Sequence, residues 1–347
     1  MMERAIRVLA LTPQGAALAR EICRGLAGAR CWLPRSQGGE DPEVGAFDNV
    51  AAVFQEAFEQ SENLVCVMAA GIVVRGIAPY LRGKDKDPAV VVVDEAGQFA
   101  VSLLSGHLGG ANDLAREVAR ILDGTPVITT ATDVQKLPAL DSLAAERGLL
   151  IENLAPVRQV SMALLSGRPV RLVDPEGYLA DIVRENPGLF IIESKVNAAP
   201  AGAGPGVYVG FREGDWPPEW LILRPRNLVA GMGCHKGTPV GELIEFIQKI
   251  FRQERLSLAS LKALATIEAK KEEPGLRQAA QELGVEFLWF TAEELKTVNV
   301  PHPSPQVAKH LGVMSVSEAA ALKAGGGELI LAKVKGANAT LAVARAA

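Results

Sequence analysis

Residues 102–122 read SLLSGHLGGANDLAREVARIL. An apolar run ends at Ser105, glycines crowd around His107, and an amphipathic helical pattern follows from Gly110. A strand that turns through glycine into such a helix is half of a strand–helix–strand unit, and units of this kind build sheets with helices on their faces. The stretch also poses a question of chemistry. His107 stands either for acid–base work near neutral pH or for a structural hydrogen bond in a tight corner.

The same alternation continues on both sides. Strand candidates are IRVLAL (6–11), LVCVMAA (64–70), AVVVVDE (89–95), FAVSLLS (99–105) and TPVITT (125–130). Helix candidates are GAALAREICRGLAG (15–28), FDNVAAVFQEAFEQ (47–60), IVVRGIAPYL (72–81) and GANDLAREVARIL (110–122). The pattern predicts an open, mostly parallel α/β domain over residues 1–134, covered on both faces. Residues 135–219 form a smaller α/β middle segment ending in a linker, because VNAAPAGAGPGVYVGFREGDWPPEW is too rich in Gly and Pro to sustain long regular elements. Residues 220–347 return to clean alternation and predict a second open α/β domain that closes with a hairpin. Helix starts in this part are marked by Thr238–Pro239 and Ser304–Pro305, and by capping boxes at Thr291 with Glu294 and Ser315 with Glu318.

Composition excludes several function classes. The chain is 347 residues long with a formal net charge of −4, which leaves no basic stripe to replace phosphate counterions and argues against nucleic-acid partners. Cys23, Cys31, Cys66 and Cys234 stand alone, so neither a zinc site nor a disulfide framework is expected, and a reducing cytoplasm fits. The longest apolar run, LVCVMAAGIVV (64–74), is too short to span a bilayer, and the first apolar run reads as a strand rather than a leader. No membrane partner is expected.

Three segments share the strand, glycine turn and helix arrangement: CVMAAGIVVRG, SLLSGHLGGAND and VAGMGCHKGTPVGE. Glycine permits close backbone approach there, and the unpaired N–H groups of each helix start favour an anion. The expected ligand-contacting residues are Gly71 and Arg75 in the first corner, and Ser105, Gly106, Gly109, Gly110 and Asn112 in the second. In the third they are Gly231, Gly233, Cys234, His235, Lys236, Gly237 and Thr238. Tight packing of helix on strand is the plain alternative for each corner, and Asn112 is equally suited to cap a helix. The third corner is one residue too long for a dinucleotide fingerprint and transposes the Lys and Gly of a phosphate loop, which argues against a nucleotide-dependent transferase. His235 and Lys236 are placed to hold a carboxylate. Asp113 and Glu268 join His107 as catalytic candidates, a solvated charge being the alternative for Glu268. His302 and His310 read as surface histidines, and no protein metal site is expected.

AAGIVVRGIAPYL, SLLSGHLGGANDLA and TPVITTATD, followed by GMGCHKGTP, TIEAKK, VPHPSPQVAKHLG and SVSEAAAL, resemble the CbiG family of anaerobic cobalamin biosynthesis, the cobalt-precorrin-5A hydrolases. The similarity spans nearly the whole chain, loosely in the middle; His235–Lys236 departs from the arginine-rich residues expected after the GC. The resemblance implies opening of the ring-A δ-lactone of a cobalt corrinoid and loss of the bridging carbon as acetaldehyde. It implies His107 as base and the Gly109–Gly110 backbone as oxyanion site. It implies a small-molecule partner that carries its own cobalt, so that no cofactor is needed. Transient contact with neighbouring pathway enzymes and a homodimer are further partners to expect. A non-catalytic corrinoid carrier is the competing function, since it needs the same carboxylate-binding corners.

Overall fold

The computed structural model describes residues 5–38, 44–60, 62–83, 86–107, 109–193, 204–302 and 315–346. The chain divides into two compact units, residues 1–145 and 146–347. The first contains β1 (Ile6–Ala10), α1 (Pro13–Gly25), β2 (Ala29–Pro34), α2 (Arg35–Gly38), β3 (Gly45–Phe47), α3 (Val50–Glu59), β4 (Asn63–Val67), α4 (Ala70–Ile77) and β5 (Val90–Val93). It continues with β6 (Phe99–Leu104), α5 (Ala111–Leu122), β7 (Thr125–Val127), α6 (Ala131–Val134) and α7 (Leu140–Glu146). Strand order is β3-β2-β1-β4-β5-β6-β7. The central strands bury both faces. Val8, Val65 and Val91 pack with Ile22 of α1 and Val118 of α5, while their neighbours Leu9, Leu64 and Val90 pack with Phe54 of α3 and Val73 of α4. Alternate residues thus feed two cores, which is why these strands read as continuous apolar runs.

One feature of this sheet decides where the corners lie. β1 to β5 are parallel, β5 and β6 are antiparallel, and β6 and β7 are parallel again. Only residues 94–98 join β5 to β6, too few for a crossover, which needs a dozen or more residues. They form a hairpin in which Asp94 accepts from the backbone N–H groups of Ala96 (3.0 Å) and Phe99 (2.6 Å), and Gly97 takes φ +70°. β6 and β7 therefore end at the opposite edge of the sheet from β1, β4 and β5.

The second unit holds two sheets. In the first, β8 (Leu149–Ile151), α8 (Ala155–Leu165), β9 (Val170–Val173), α9 (Ala180–Glu185), β10 (Phe190–Ile192), β11 (Gly206–Val209) and β12 (Trp220–Pro225) give the order β10-β9-β11-β12-β8, with β8 alone antiparallel. The stretch expected to be a linker supplies the central strand β11, every residue of which is buried. Gly206 serves packing. A Cβ on Gly206 would lie 2.3 Å from the Trp220 ring, and Tyr208, Trp216 and Trp220 stack with centroids 4.3 and 5.3 Å apart. Aromatic stacking compensates for the poor strand propensity of the segment. β12 pairs with β11 and β8, so this sheet continues past the end at 219 expected for the middle segment.

The last sheet comprises β13 (Leu228–Cys234), α10 (Val240–Gln253), β14 (Leu261–Ile267), α11 (Pro274–Glu282), β15 (Glu286–Phe290), α12 (Ala292–Lys296), α13 (Val316–Gly325), β16 (Gly326–Lys335) and β17 (Ala339–Ala346). Its order is β15-β14-β13-β17-β16, with the first three parallel and the expected hairpin antiparallel. Thr291 and Glu294 form the capping box. Ser315 makes no capping bond, and the Glu318 carboxylate turns to His302 and to the Lys333 N–H. α10 starts one residue later than its sequence suggests: Pro239 is the N-cap, and the Thr238 hydroxyl donates to the His235 carbonyl at 2.9 Å. The helix expected from Ser304–Pro305, with His310, lies outside the described residues. No described helix is long and apolar enough to cross a membrane.

Candidate active site

The loop from β6 to α5 is built by its own backbone. Ala111 N–H donates to Ser105 O (3.1 Å), Asn112 N–H to Gly106 O (3.0 Å) and Gly110 N–H to His107 O (2.9 Å). Ser105 adopts φ +57° and Gly110, the N-cap, φ +86°. A Cβ on Gly109 would come within 2.3 Å of the Ser105 side chain, so only glycine lets the loop close. Of the donors expected to meet an oxyanion, the Gly110 N–H is consequently spent within the loop, as are those of Ala111 and Asn112 at the helix start.

This loop holds His107 against the adjacent corner. β6 and β7 are parallel neighbours, so their ends lie side by side, and the turn after β7 leads into α6 with Asp133 in its first turn. His107 Nε2 is 2.9 Å from Asp133 Oδ2 and 3.2 Å from Thr132 Oγ1, and its Nδ1 is 3.6 Å from Asp141 Oδ1 of α7. Asp133 also accepts from Asn112 Nδ2 (2.9 Å) and Arg116 (2.7 Å). Asn112 does not cap the helix: it is buried in the first turn, accepts from Ser102 Oγ at 2.7 Å, and passes the fixed orientation of β6 on to Asp133.

Two carboxylates on opposite ring nitrogens set the charge. Asp141 raises the His107 pKa most, burial opposes it, and Asp133 adds to the rise. Asp141 acts more strongly although it is farther away because its side chain is only 8% exposed, against 21% for Asp133, and buried charges are less screened. Burial works to raise both aspartates, but the bonds and charge of His107, joined at Asp133 by Arg116, bring them below the ordinary carboxylate range. Both carboxylates favour the protonated, imidazolium form of the ring. A ring that already carries both protons is a proton donor first and a base only after it has given one up.

The other expected residues fall elsewhere. Asp113 is exposed and pairs with Arg116 at 2.6 Å, so it reaches His107 only through Arg116 and Asp133. Gly71 and Arg75 sit in α4 beyond the end of β4, and Arg75 donates to the Gly71 carbonyl. The length of β5, roughly 13 Å at about 3.3 Å per residue, separates that edge from the His107 edge. Asp133 and Asp141 were missed, although TPVITTATD and LPALDSLAAERG contain them. The usable signal was the β6–α5–β7 unit, which puts two strand ends side by side.

At the third corner, Gly231 serves packing: a Cβ there would lie 1.9 Å from Ser317 O of α13. Gly237, at φ +77°, donates its N–H to Glu273 at 2.6 Å, so the turn already holds a carboxylate of its own. That bond and Lys270 keep Glu273 below the ordinary carboxylate range. His235 is tied to Asn338 through its backbone N–H (2.9 Å) and Nδ1 (3.3 Å), while Lys236 is exposed. Glu268 pairs with Lys271 at 3.1 Å. Gly233, Cys234 and His235 line a cavity at the ends of β13 and β14.

Three family models match in chain order: Cobalamin synthesis G N-terminal over 52–133, Cobalamin biosynthesis central region over 138–225, and Cobalamin synthesis G C-terminus over 228–344. The chain belongs to the cobalamin synthesis G (CbiG) family. Among its CbiG relatives, a cobalt-precorrin-5A hydrolase from Priestia megaterium is 35% identical, over 97% of this chain and 94% of that protein. Another from Salmonella typhimurium is 37% identical, over 98% and 97%. A solved cobalamin biosynthesis protein G homolog from Sulfolobus solfataricus is 24% identical, covering 99% of this chain and 98% of its own, with a TM-score of 0.38.

Proposed function

We infer that this CbiG protein is a cobalt-precorrin-5A hydrolase in which His107, held between Asp133 and Asp141, carries the proton. The activity rests on two relatives of that name aligned along nearly their whole lengths. The role of His107 rests on its two carboxylate contacts, 2.9 Å at Nε2 and 3.6 Å at Nδ1. Water opens the lactone to a carboxylate and a free hydroxyl on the bridging carbon. Loss of the hydroxyl proton and cleavage of the carbon–carbon bond release acetaldehyde, and the electron pair left on the macrocycle takes up a proton. One group that donates a proton and then recovers one serves both ends of this step. The imidazolium also offers positive charge to the developing oxyanion, where the Gly110 N–H is already engaged with the His107 carbonyl.

Anaerobic incubation with cobalt-precorrin-5A, following acetaldehyde and corrinoid mass together, tests the activity. Stoichiometric acetaldehyde with the matching mass loss supports the hydrolase; tight binding at unchanged mass supports the carrier instead. His107→Ala is expected to abolish acetaldehyde release while corrinoid binding stays nearly intact. Asp141→Asn is expected to move the alkaline limb of the rate profile to lower pH, because it lowers the pKa of the donor; an unmoved limb would remove His107 from proton transfer.

A further inference from the structure

We propose that the cavity at the ends of β13 and β14 is a carboxylate-binding site that takes one acetate or propionate arm of the substrate. The carboxylate chemistry rests on the lining residues; the assignment of the arm to a corrinoid rests on the hydrolase reading.

The cavity measures about 380 Å³, room for one arm and the ring that bears it. Its lining includes Lys270, Lys333 and Lys335 and, among the described residues, no aspartate or glutamate. Lys270 is partly balanced from outside the lining by Glu273 at 3.0 Å, and Lys333 Nζ lies 3.3 Å from the His302 carbonyl. Lys335 is exposed. Ser315 and Ser317, each 1% exposed, also line the cavity, and their hydroxyls have no hydrogen-bond partner among the described residues. Buried hydroxyls are almost always paired, so two unpaired ones on residues that line one cavity suit a ligand that accepts hydrogen bonds. Between them begins α13, whose first N–H groups have no partner within the helix and favour negative charge.

The diversion of Glu318 leaves the capping box at Ser315 unformed. In a capping box Glu318 would bond the Ser315 N–H while the Ser315 hydroxyl accepted from the Glu318 N–H. With the Glu318 carboxylate drawn to His302 Nδ1 at 3.0 Å and to the Lys333 N–H at 2.9 Å, the Ser315 N–H loses its box partner, and the Ser315 hydroxyl makes no capping bond either. A carboxylate has two oxygens to meet two hydroxyls and the helix start. Ile267 and Val316 supply an apolar wall for the methylenes of the arm.

Calorimetry on the full chain tests this with three probes: a cobalt corrinoid bearing free side-chain carboxylates, its fully methyl-esterified counterpart, and inorganic phosphate. The free acid is expected to bind at least about tenfold tighter than the ester, the value of one good hydrogen bond to a charged group. The double variant S315A/S317A is expected to lose that advantage with its melting temperature unchanged or raised, since no hydrogen bond among the described residues is removed. Lys335→Met, at an exposed position, is expected to weaken the acid roughly two- to fivefold and to flatten its salt dependence. Equal affinity for acid and ester, or undiminished acid binding by both variants, overturns the proposal. Phosphate binding that needs Ser315 and Ser317 while the free acid fails to bind overturns it in favour of a phosphate site. If the unaltered protein converts no cobalt-precorrin-5A yet keeps serine-dependent binding of the free acid, the hydrolase reading fails and the carboxylate site stands.

Discussion

At His107 the two flanking aspartates differ in depth, and the difference is measurable. By NMR titration the imidazole is expected to ionise above the ordinary histidine value of about 6.5. Asp141→Asn is expected to lower that pKa more than Asp133→Asn, and to cost about 1–3 kcal/mol of stability by leaving a buried partner poorly satisfied. The pH dependence follows from the shifts. A raised histidine contributes stability that is full below about 6.5 and is lost as pH rises through its folded value; the lowered aspartates contribute stability present above about 4 and lost as pH falls through theirs. Urea unfolding of the unaltered protein and of His107→Gln should therefore differ more near pH ~5.5 than near pH ~9. A difference that does not change between the two conditions would mean that the ring is neutral at rest. His107 itself was legible from its glycine-rich corner, but its charge was not, because Asp133 and Asp141 reach it from two later helices.

At the level of elements, local chemistry was read correctly where it acted alone. Thr291 with Glu294 and Ser315 with Glu318 have the same spacing, yet only the first pair forms the box. Glu318 is fully buried, and the donors of His302 and Lys333 claim its carboxylate. Thr291→Ala is accordingly expected to destabilise by about 1 kcal/mol in urea unfolding, whereas Ser315→Ala is expected to cost nothing measurable. A cost at Ser315 equal to that at Thr291 would show that Ser315 caps its helix in solution. The β5–β6 hairpin was within reach of sequence reasoning, since residues 94–98 are too short for a crossover. Its consequence is that Gly71 and Arg75 lie beyond one edge of the sheet and His107 at the other. The burial of β11 was not legible, because its partners β9 and β12 and the ring of Trp220 lie far from it in sequence or outside any local pattern.

At the scale of the whole molecule, the first compact unit runs through Ala145, beyond the expected boundary at 134, and so includes Asp141. A fragment of residues 1–145 is expected to keep the raised His107 pKa of the full chain, and one ending at 134 to titrate nearer 6.5. Equal titration of the two fragments would remove Asp141 as the dominant influence. The sequence by itself determined the α/β class, the alternation of strands and helices in the first and last parts, the glycine corners and the CbiG resemblance. Each of these depends on residues close in the chain, where hydrophobic period, turn chemistry and short motifs act directly. Only the tertiary structure decided which corners share a sheet edge, which carboxylates flank His107, and which serine hydroxyls go unpaired. Those outcomes turn on strand direction and on competition among distant donors and acceptors. Residues 107 and 141 shift each other's pKa, and residues 302 and 318 meet in hydrogen bonds, only after the sheets have brought them together.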